Sequence, residues 1–229
     1  MSTRIGLIVP SSNTVMEPDL YRRLPAASTL HVGRVHLEDT TAEAEAVMLD
    51  EHLPPTIRDL ATARPHVMVF GCTSAGALRG NPYEAELIER IAAETGAETF
   101  SVAASVRRAI AARHAVRVGV ITPYADDLND KIRESFQDDG FDVVGVHGLG
   151  ITENFAIAAV APERIAAFAS EAFGDGTEID LLFASCTNFR ALDARERIER
   201  DLGVPVVTSN SALLEAVLDH LAAPAGAER

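Results

Sequence analysis

The chain has 229 residues, of which 47% are hydrophobic and 24% charged, and a formal net charge of −14. Those figures describe a soluble globular chain of one α/β domain or two small ones, and they exclude the basic face that nucleic acid or an anionic membrane requires. Tryptophan is absent and no apolar run is long enough to span a bilayer, so neither a base-stacking platform nor a membrane segment is expected.

The opening Met-Ser-Thr-Arg leads straight into an apolar run with no signal-peptide pattern, which points to the cytoplasm, where two cysteines are thiols rather than a structural disulfide. Apolar runs rich in Val, Ile and Leu then alternate with amphipathic segments. The pattern predicts strand 5–9, helix 15–24, strand 29–35, helices 42–50 and 56–63, strand 66–70, helix 83–95, strand 98–102 and helix 105–113. It continues with strand 116–121, helix 125–137, strand 142–148, helix 162–173, strand 180–184, helix 191–201, strand 204–207 and helix 211–221. Pro55 and Pro162 suit helix starts; Gly96, Gly140 and Gly203 suit helix ends. Such alternation predicts mostly parallel sheets covered by helices on both faces.

The chain also repeats itself. Arg4–Asn13 (RIGLIVPSSN) matches Arg117–Asp126 (RVGVITPYAD), Val67–Leu78 (VMVFGCTSAGAL) matches Leu181–Leu192 (LLFASCTNFRAL), and Gly96–Ile110 resembles Gly203–Val217, all in the same order. A period near half the chain predicts two pseudo-symmetric three-layer α/β/α halves with the active site in the cleft between them. The first half is expected over 1–113, completed by the C-terminal helix 209–229, and the second over 114–208.

Ligands of open parallel sheets bind beyond the carboxyl ends of the strands. Both cysteines, Cys72 and Cys186, stand there at matching places. A single buried cysteine is most simply a small apolar residue. Recurrence at equivalent tips, among Thr73, Ser74, Thr187 and Asn188, argues instead for two thiols facing one cleft. A helix start favours the thiolate. The four polar neighbours supply donors for a carboxylate or an enediolate, or they cap helices; the two roles are compatible. Asn13 follows the first strand in a donor-rich turn and is either an anion ligand or an N-cap. Tyr124, at the matching tip, either donates its phenol to the same carboxylate or packs on the surface. Asn154 either reaches the cleft or is an ordinary loop residue. The seven histidines show no close ligand pairing, so no metal site is expected.

The motifs GLIVPSSNT, GCTSAG, TPYADDLN, SCTN and LGVPVVTSN resemble the aspartate/glutamate racemase superfamily, in its maleate cis–trans isomerase and arylmalonate decarboxylase branch. The resemblance implies a cofactor-independent enzyme, a homodimer, acting on a small carboxylate or dicarboxylate. It implies Cys72 as nucleophile and Cys186 as general acid/base. Addition of the Cys72 thiolate to maleate, rotation in an enediolate and elimination then give fumarate. It also implies that Asn13, Tyr124 and Asn154 hold carboxylates, and that Thr73, Ser74, Tyr124 and N–H groups near Cys72, Cys186 and Thr187 hold an enediolate. Well-known decarboxylases of the branch keep only the second cysteine, with glycine at the first place, whereas the polar tips here look nearer to racemases. Racemisation of an amino acid or hydantoin by two thiols, and decarboxylation of a malonate-type acid, are therefore the enzymatic alternatives. A flavodoxin-like binding module is the non-enzymatic one, although the first loop lacks the glycine and the aromatics that a flavin uses.

Overall fold

The computed structural model describes residues 2–223. The first half comprises β1 (Thr3–Pro10), α1 (Met16–Arg23), β2 (Ser28–Val35), α2 (Ala42–Val47), a π-helical turn over Met48–His52, α3 (Leu53–Ala61), β3 (Val67–Phe70), α4 (Thr73–Ala77), α5 (Asn81–Thr95), β4 (Glu98–Ser101) and α6 (Val102–Ala112). The second comprises β5 (Arg117–Thr122), α7 (Asp126–Asp138), β6 (Asp142–Gly148), α8 (Asn154–Ala158), α9 (Pro162–Phe173), β7 (Leu181–Ala184), α10 (Ala191–Leu202), β8 (Val206–Thr208) and α11 (Ser209–Ala222).

The strands form two parallel four-stranded sheets, in the orders β2-β1-β3-β4 and β6-β5-β7-β8. In each sheet the chain order reverses between the first and third strands of its half. That switch point opens a crevice at the strand tips, between β1 and β3 and between β5 and β7. Every residue of β3 and of β7 is buried, as strands covered on both faces must be.

Alternation along the strands divides the core. Ile5, Leu7, Val9, Val67 and Val69 join a cluster that runs on into the second half through Val118, Val120, Leu182 and Leu213. Ile8, Met68 and Phe70 point the other way, onto Leu53, Ile57 and Leu60 of α3 and Leu87 and Ile91 of α5. The final helix α11 lies against α6 and α1 of the first half. Arg113 pairs with Glu215 at 2.8 Å, and Arg108 with Asp219 at 3.1 Å. The last six residues of the expected 209–229 segment, and Met1, lie outside the described residues.

Three local features differ from the sequence pattern. The helices expected at 42–50 and 56–63 join into one run from Ala42 to Ala61. Pro54 and Pro55 lack the N–H that an α-helical interior needs. The chain widens into the π turn, where Leu53 N–H reaches back to Met48 O, and both prolines fall in the first turn of α3. The short helices α4 and α8 lie where loops were expected, because five residues show no periodicity. Finally, α6 and α11 start earlier than expected, since Ser101 and Thr208 cap them from the strand ends.

Candidate active site

The two thiols leave the sheets in the same way. Gly71 N–H extends the ladder to Ile8 O at 2.8 Å, and Ser185 N–H extends its own to Ile121 O at 2.9 Å. Glycine is required at 71: a Cβ there would stand 2.7 Å from Ile8 O and 2.8 Å from the Met16 sulfur. The next residue is the cysteine in both cases, and here the halves part. Cys72 has ordinary extended backbone, φ −134°, and stands immediately before α4. Cys186 has φ +95°, a left-handed conformation that a side-chain-bearing residue adopts only under constraint. Its constraints are visible. Cys186 N–H donates to Ser209 Oγ at 3.0 Å, and Asn188 N–H donates to Cys186 Sγ at 3.4 Å.

Both cysteines are free thiols, each 6% exposed. Tyr124 is 1% exposed, and both thiols bear on its phenol. It is thus a buried residue and not a surface one. Burial pushes the Cys186 thiol up to about 11, against the pull of Tyr124 and the N–H groups of Asn188 and Phe189. Cys72 is also pushed well up, by burial first and then by Glu45, while the Ala75 N–H and Ser74 pull it down. Tyr124 is raised well above the usual phenol range, again chiefly by burial. This corrects the expectation that a helix start favours the thiolate: desolvation outweighs the few N–H donors, and both resting sulfurs are protonated.

The polar residues around the thiols tie the halves together. Asn13 Nδ2 donates to Thr187 Oγ1 at 2.9 Å, and Thr187 Oγ1 donates to Gly71 O at 3.1 Å. Asn13 Oδ1 accepts from the N–H groups of Val15 and Met16 at 3.0 Å each, so Asn13 both opens α1 and reaches the opposite tip. Thr73 Oγ1 donates to Ser209 Oγ at 2.9 Å, and Ser74 Oγ to Glu45. Asn188 takes Thr14 N–H on Oδ1 at 2.9 Å and gives Nδ2 to Asn154 O at 2.6 Å. Asn154 Nδ2 donates to Ser12 Oγ at 2.8 Å. All seven residues expected to contact substrate are buried at this junction. The hydroxyl hydrogens of Thr73, Ser74 and Thr187 go to protein partners, and Asn188 is a brace. Asn13 and Asn154 each keep a second amide hydrogen outside these bonds.

The segment after β2 lies across the second half. Thr40 N–H meets Thr152 O at 2.6 Å, Asn154 N–H meets Glu38 O at 2.9 Å, and Asp39 bridges Glu153 in antiparallel fashion. Asp127 of α7 holds the Ala42 N–H at 3.1 Å. This strap delivers Glu45 and the start of α11 delivers Ser209, two residues that the sequence pattern did not single out. Glu45 on α2 is fully buried, and its carboxyl is pushed up to about 8 by burial, against the Ser74 hydrogen bond. Ser209, the residue after the cap of α11, accepts hydrogen bonds from both tips, from Cys186 N–H and from Thr73. The LGVPVVTSN motif held a signal for Ser209. Glu45, within AEAEAV, carried none, since an acid on an acidic helix reads as solvated.

Two facing parallel-sheet halves with a thiol at each switch point define a member of the aspartate/glutamate racemase-like superfamily. Within it, the arylmalonate decarboxylase family model matches residues 5–228, and the chain belongs to that family. A maleate isomerase from Nocardia farcinica is 30% identical over 232 residues, covering 96% of this chain and 91% of that protein. An arylmalonate decarboxylase from Bordetella bronchiseptica is 31% identical over 212 residues, covering 91% and 86%. Among solved structures, a Cys-to-Ser mutant of the Nocardia farcinica maleate cis–trans isomerase with a covalently bound succinylcysteine intermediate superposes with a TM-score of 0.88. It is 27% identical and covers 96% of this chain and 93% of that one. The chain is thus an enzyme, and maleate isomerases and an arylmalonate decarboxylase are its relatives.

Proposed function

We propose that the protein is a cofactor-independent isomerase of a small carboxylic acid, with conversion of maleate to fumarate as its reaction. The observation that carries this reading is the pair of buried thiols at the matching tips of β3 and β7, both of which bear on the one buried phenol of Tyr124. The succinylcysteine in the related isomerase supports a covalent route.

Cys72, once deprotonated, adds its sulfur to one alkene carbon. The π electrons move to the neighbouring carbon and into its carboxylate as an enediolate, and the Cys186 thiol protonates that carbon. The former double bond is now single and rotates. Cys186 then takes a proton back, the C–S bond breaks, and the trans acid leaves with Cys72 again a thiolate. The second amide hydrogens of Asn13 and Asn154, the Tyr124 hydroxyl and backbone N–H groups at the tips are the donors for the two carboxylates and the transient charge.

The division of labour has a physical basis. The Cys186 sulfur receives a hydrogen bond from Asn188 N–H, and the Tyr124 phenol pulls its thiol down, so both favour its anion in place and suit it to carrying a proton. Burial raises the Cys72 thiol well above its ordinary range, and a basic thiolate is a strong nucleophile, which suits it to addition. A panel of three assays tests the reading: loss of maleate absorbance with appearance of fumarate, loss of optical rotation from amino acids or hydantoins, and carbon dioxide release from arylmalonates. Fumarate formation supports it. Turnover confined to either of the other two assays replaces it with racemisation or decarboxylation by the same pair.

A further inference from the structure

We infer that Glu45 is a further substrate-binding residue, a carboxylic acid whose Oε2–H is donated to a carboxylate of the bound acid. The inference rests on the carboxylate-site reading above and adds a residue to it. Glu45 is 0% exposed. Its Oε1 accepts from Ser74 Oγ, which stands 3.9 Å from Cys72 Sγ. Its Oε2 is buried with no hydrogen-bond partner among the described residues. A buried polar atom left unpaired costs about 1–3 kcal/mol, so it signals a partner that arrives with the ligand.

The surroundings fix which form of the carboxyl waits there. Ser74 and Cys72 face it from the β3 tip, and Cys186 and Tyr124 lie within its electrostatic reach across the pocket. Asp127 of α7 adds a negative charge from the strap side. No lysine, arginine or histidine pairs with Glu45 among the described residues. A carboxylate in that company has nothing to offset its charge, and its pKa, pushed up to about 8, agrees. With Ser74 on Oε1, the proton sits on Oε2, the atom that lacks a partner. A dicarboxylate supplies the missing acceptor. Keeping Glu45 neutral also spares the Cys72 thiolate a neighbouring charge. Above about pH 8 both benefits reverse: Glu45 ionises, repels the substrate and raises Cys72 further.

Calorimetric binding of succinate, which has no alkene for a thiol to attack, tests this apart from turnover. The proteins are wild type, Glu45→Gln and Glu45→Ala, one pH unit below and one above about 8. The inference expects wild type to bind about tenfold more weakly at the higher pH and to take up a proton on binding there. Glutamine keeps an acceptor for Ser74 and a donor for the ligand, so Glu45→Gln binds succinate tightly at both pH values. Glu45→Ala binds about 10- to 100-fold more weakly than wild type at the lower pH. An alkaline loss that persists in Glu45→Gln, a Glu45→Gln variant as weak as Glu45→Ala, or wild-type binding without proton uptake overturns the inference while leaving the site reading intact. No succinate binding by wild type at the lower pH overturns the carboxylate-site reading, and the inference with it.

Discussion

The β3 and β7 tips are copies of one design that have diverged around their sulfurs. Each strand ends in one extra ladder bond and a cysteine, and each neighbouring strand, β4 or β8, ends in a residue that caps the next helix, Ser101 or Thr208. The residue after that cap differs. In the first half it is Val102, buried in the core; in the second it is Ser209, whose hydroxyl takes the Cys186 N–H. Cys72 accordingly sits in relaxed backbone beside Ser74 and Glu45, while Cys186 is held at φ +95° by Ser209, with Asn188 N–H on its sulfur and the Tyr124 phenol pulling its thiol down. Duplication explains why there are two thiols. Divergence around them supports giving them different work, addition at Cys72 and proton transfer at Cys186.

The largest expected effect comes from equalising the tips chemically. Cys72→Ser and Cys186→Ser each lower maleate turnover by about 10²–10⁴-fold or more, followed as loss of maleate absorbance. Circular dichroism checks that both variants fold. Retained activity in either one breaks the division of roles. Next comes the Tyr124 phenol beyond β5, which pulls down the Cys186 thiol. Tyr124→Phe keeps the ring in its buried place and removes the hydroxyl from Cys186, and we expect kcat to fall by about 10²-fold with a smaller change in KM. A KM effect alone would recast Tyr124 as a binding group.

A smaller effect follows from Ser209→Ala, which leaves Cys186 N–H and Thr73 Oγ1 without their acceptor. Denaturant unfolding should show a loss of about 1–3 kcal/mol together with reduced turnover. The contrasting Ser101→Ala removes a cap and a Glu84 contact away from either thiol, and should cost about 1 kcal/mol with turnover unchanged. The finest comparison is of backbone. Cys186→Gly should be more stable than Cys186→Ala by about 1 kcal/mol, because glycine accepts positive φ without strain. At Cys72, with φ −134°, the order should reverse. The same order at both sites would remove the asymmetry in backbone strain.

Much of this was legible in the sequence, for reasons that can be named. Strands such as VMVF and LLFA announce themselves because burial on both faces demands unbroken apolar runs. The duplicated order of motifs placed Cys72, Cys186, Asn13 and Tyr124 at matching strand tips before any coordinates. Burial depth was not legible. The N–H donors at the cysteine tips could be anticipated, but not that desolvation would outweigh them. Positive φ at Cys186 left no local mark either, since glycine or asparagine usually signals it. Glu45 looked like one more acid on a solvated helix. Only the strap, with Asp127 holding Ala42 and Thr40 meeting Thr152, turns that face inward. Thr187 and Asn188 were recognisable as polar tip residues, but their bracing role depends on Asn13, Gly71 and Thr14, which lie far away in the chain.

Mass spectrometry of the Cys186→Ser variant after incubation with maleate decides the assignment. With the nucleophile intact, the added enediolate takes its proton slowly from water, and no thiolate remains at 186 to remove it again; we therefore expect one succinyl adduct per chain, on the peptide containing Cys72, and none on Cys72→Ser treated in the same way. An adduct on Cys186 in the Cys72→Ser variant, with Cys72 unmodified in the Cys186→Ser variant, would contradict the assignment of Cys72 as the residue that adds to the substrate.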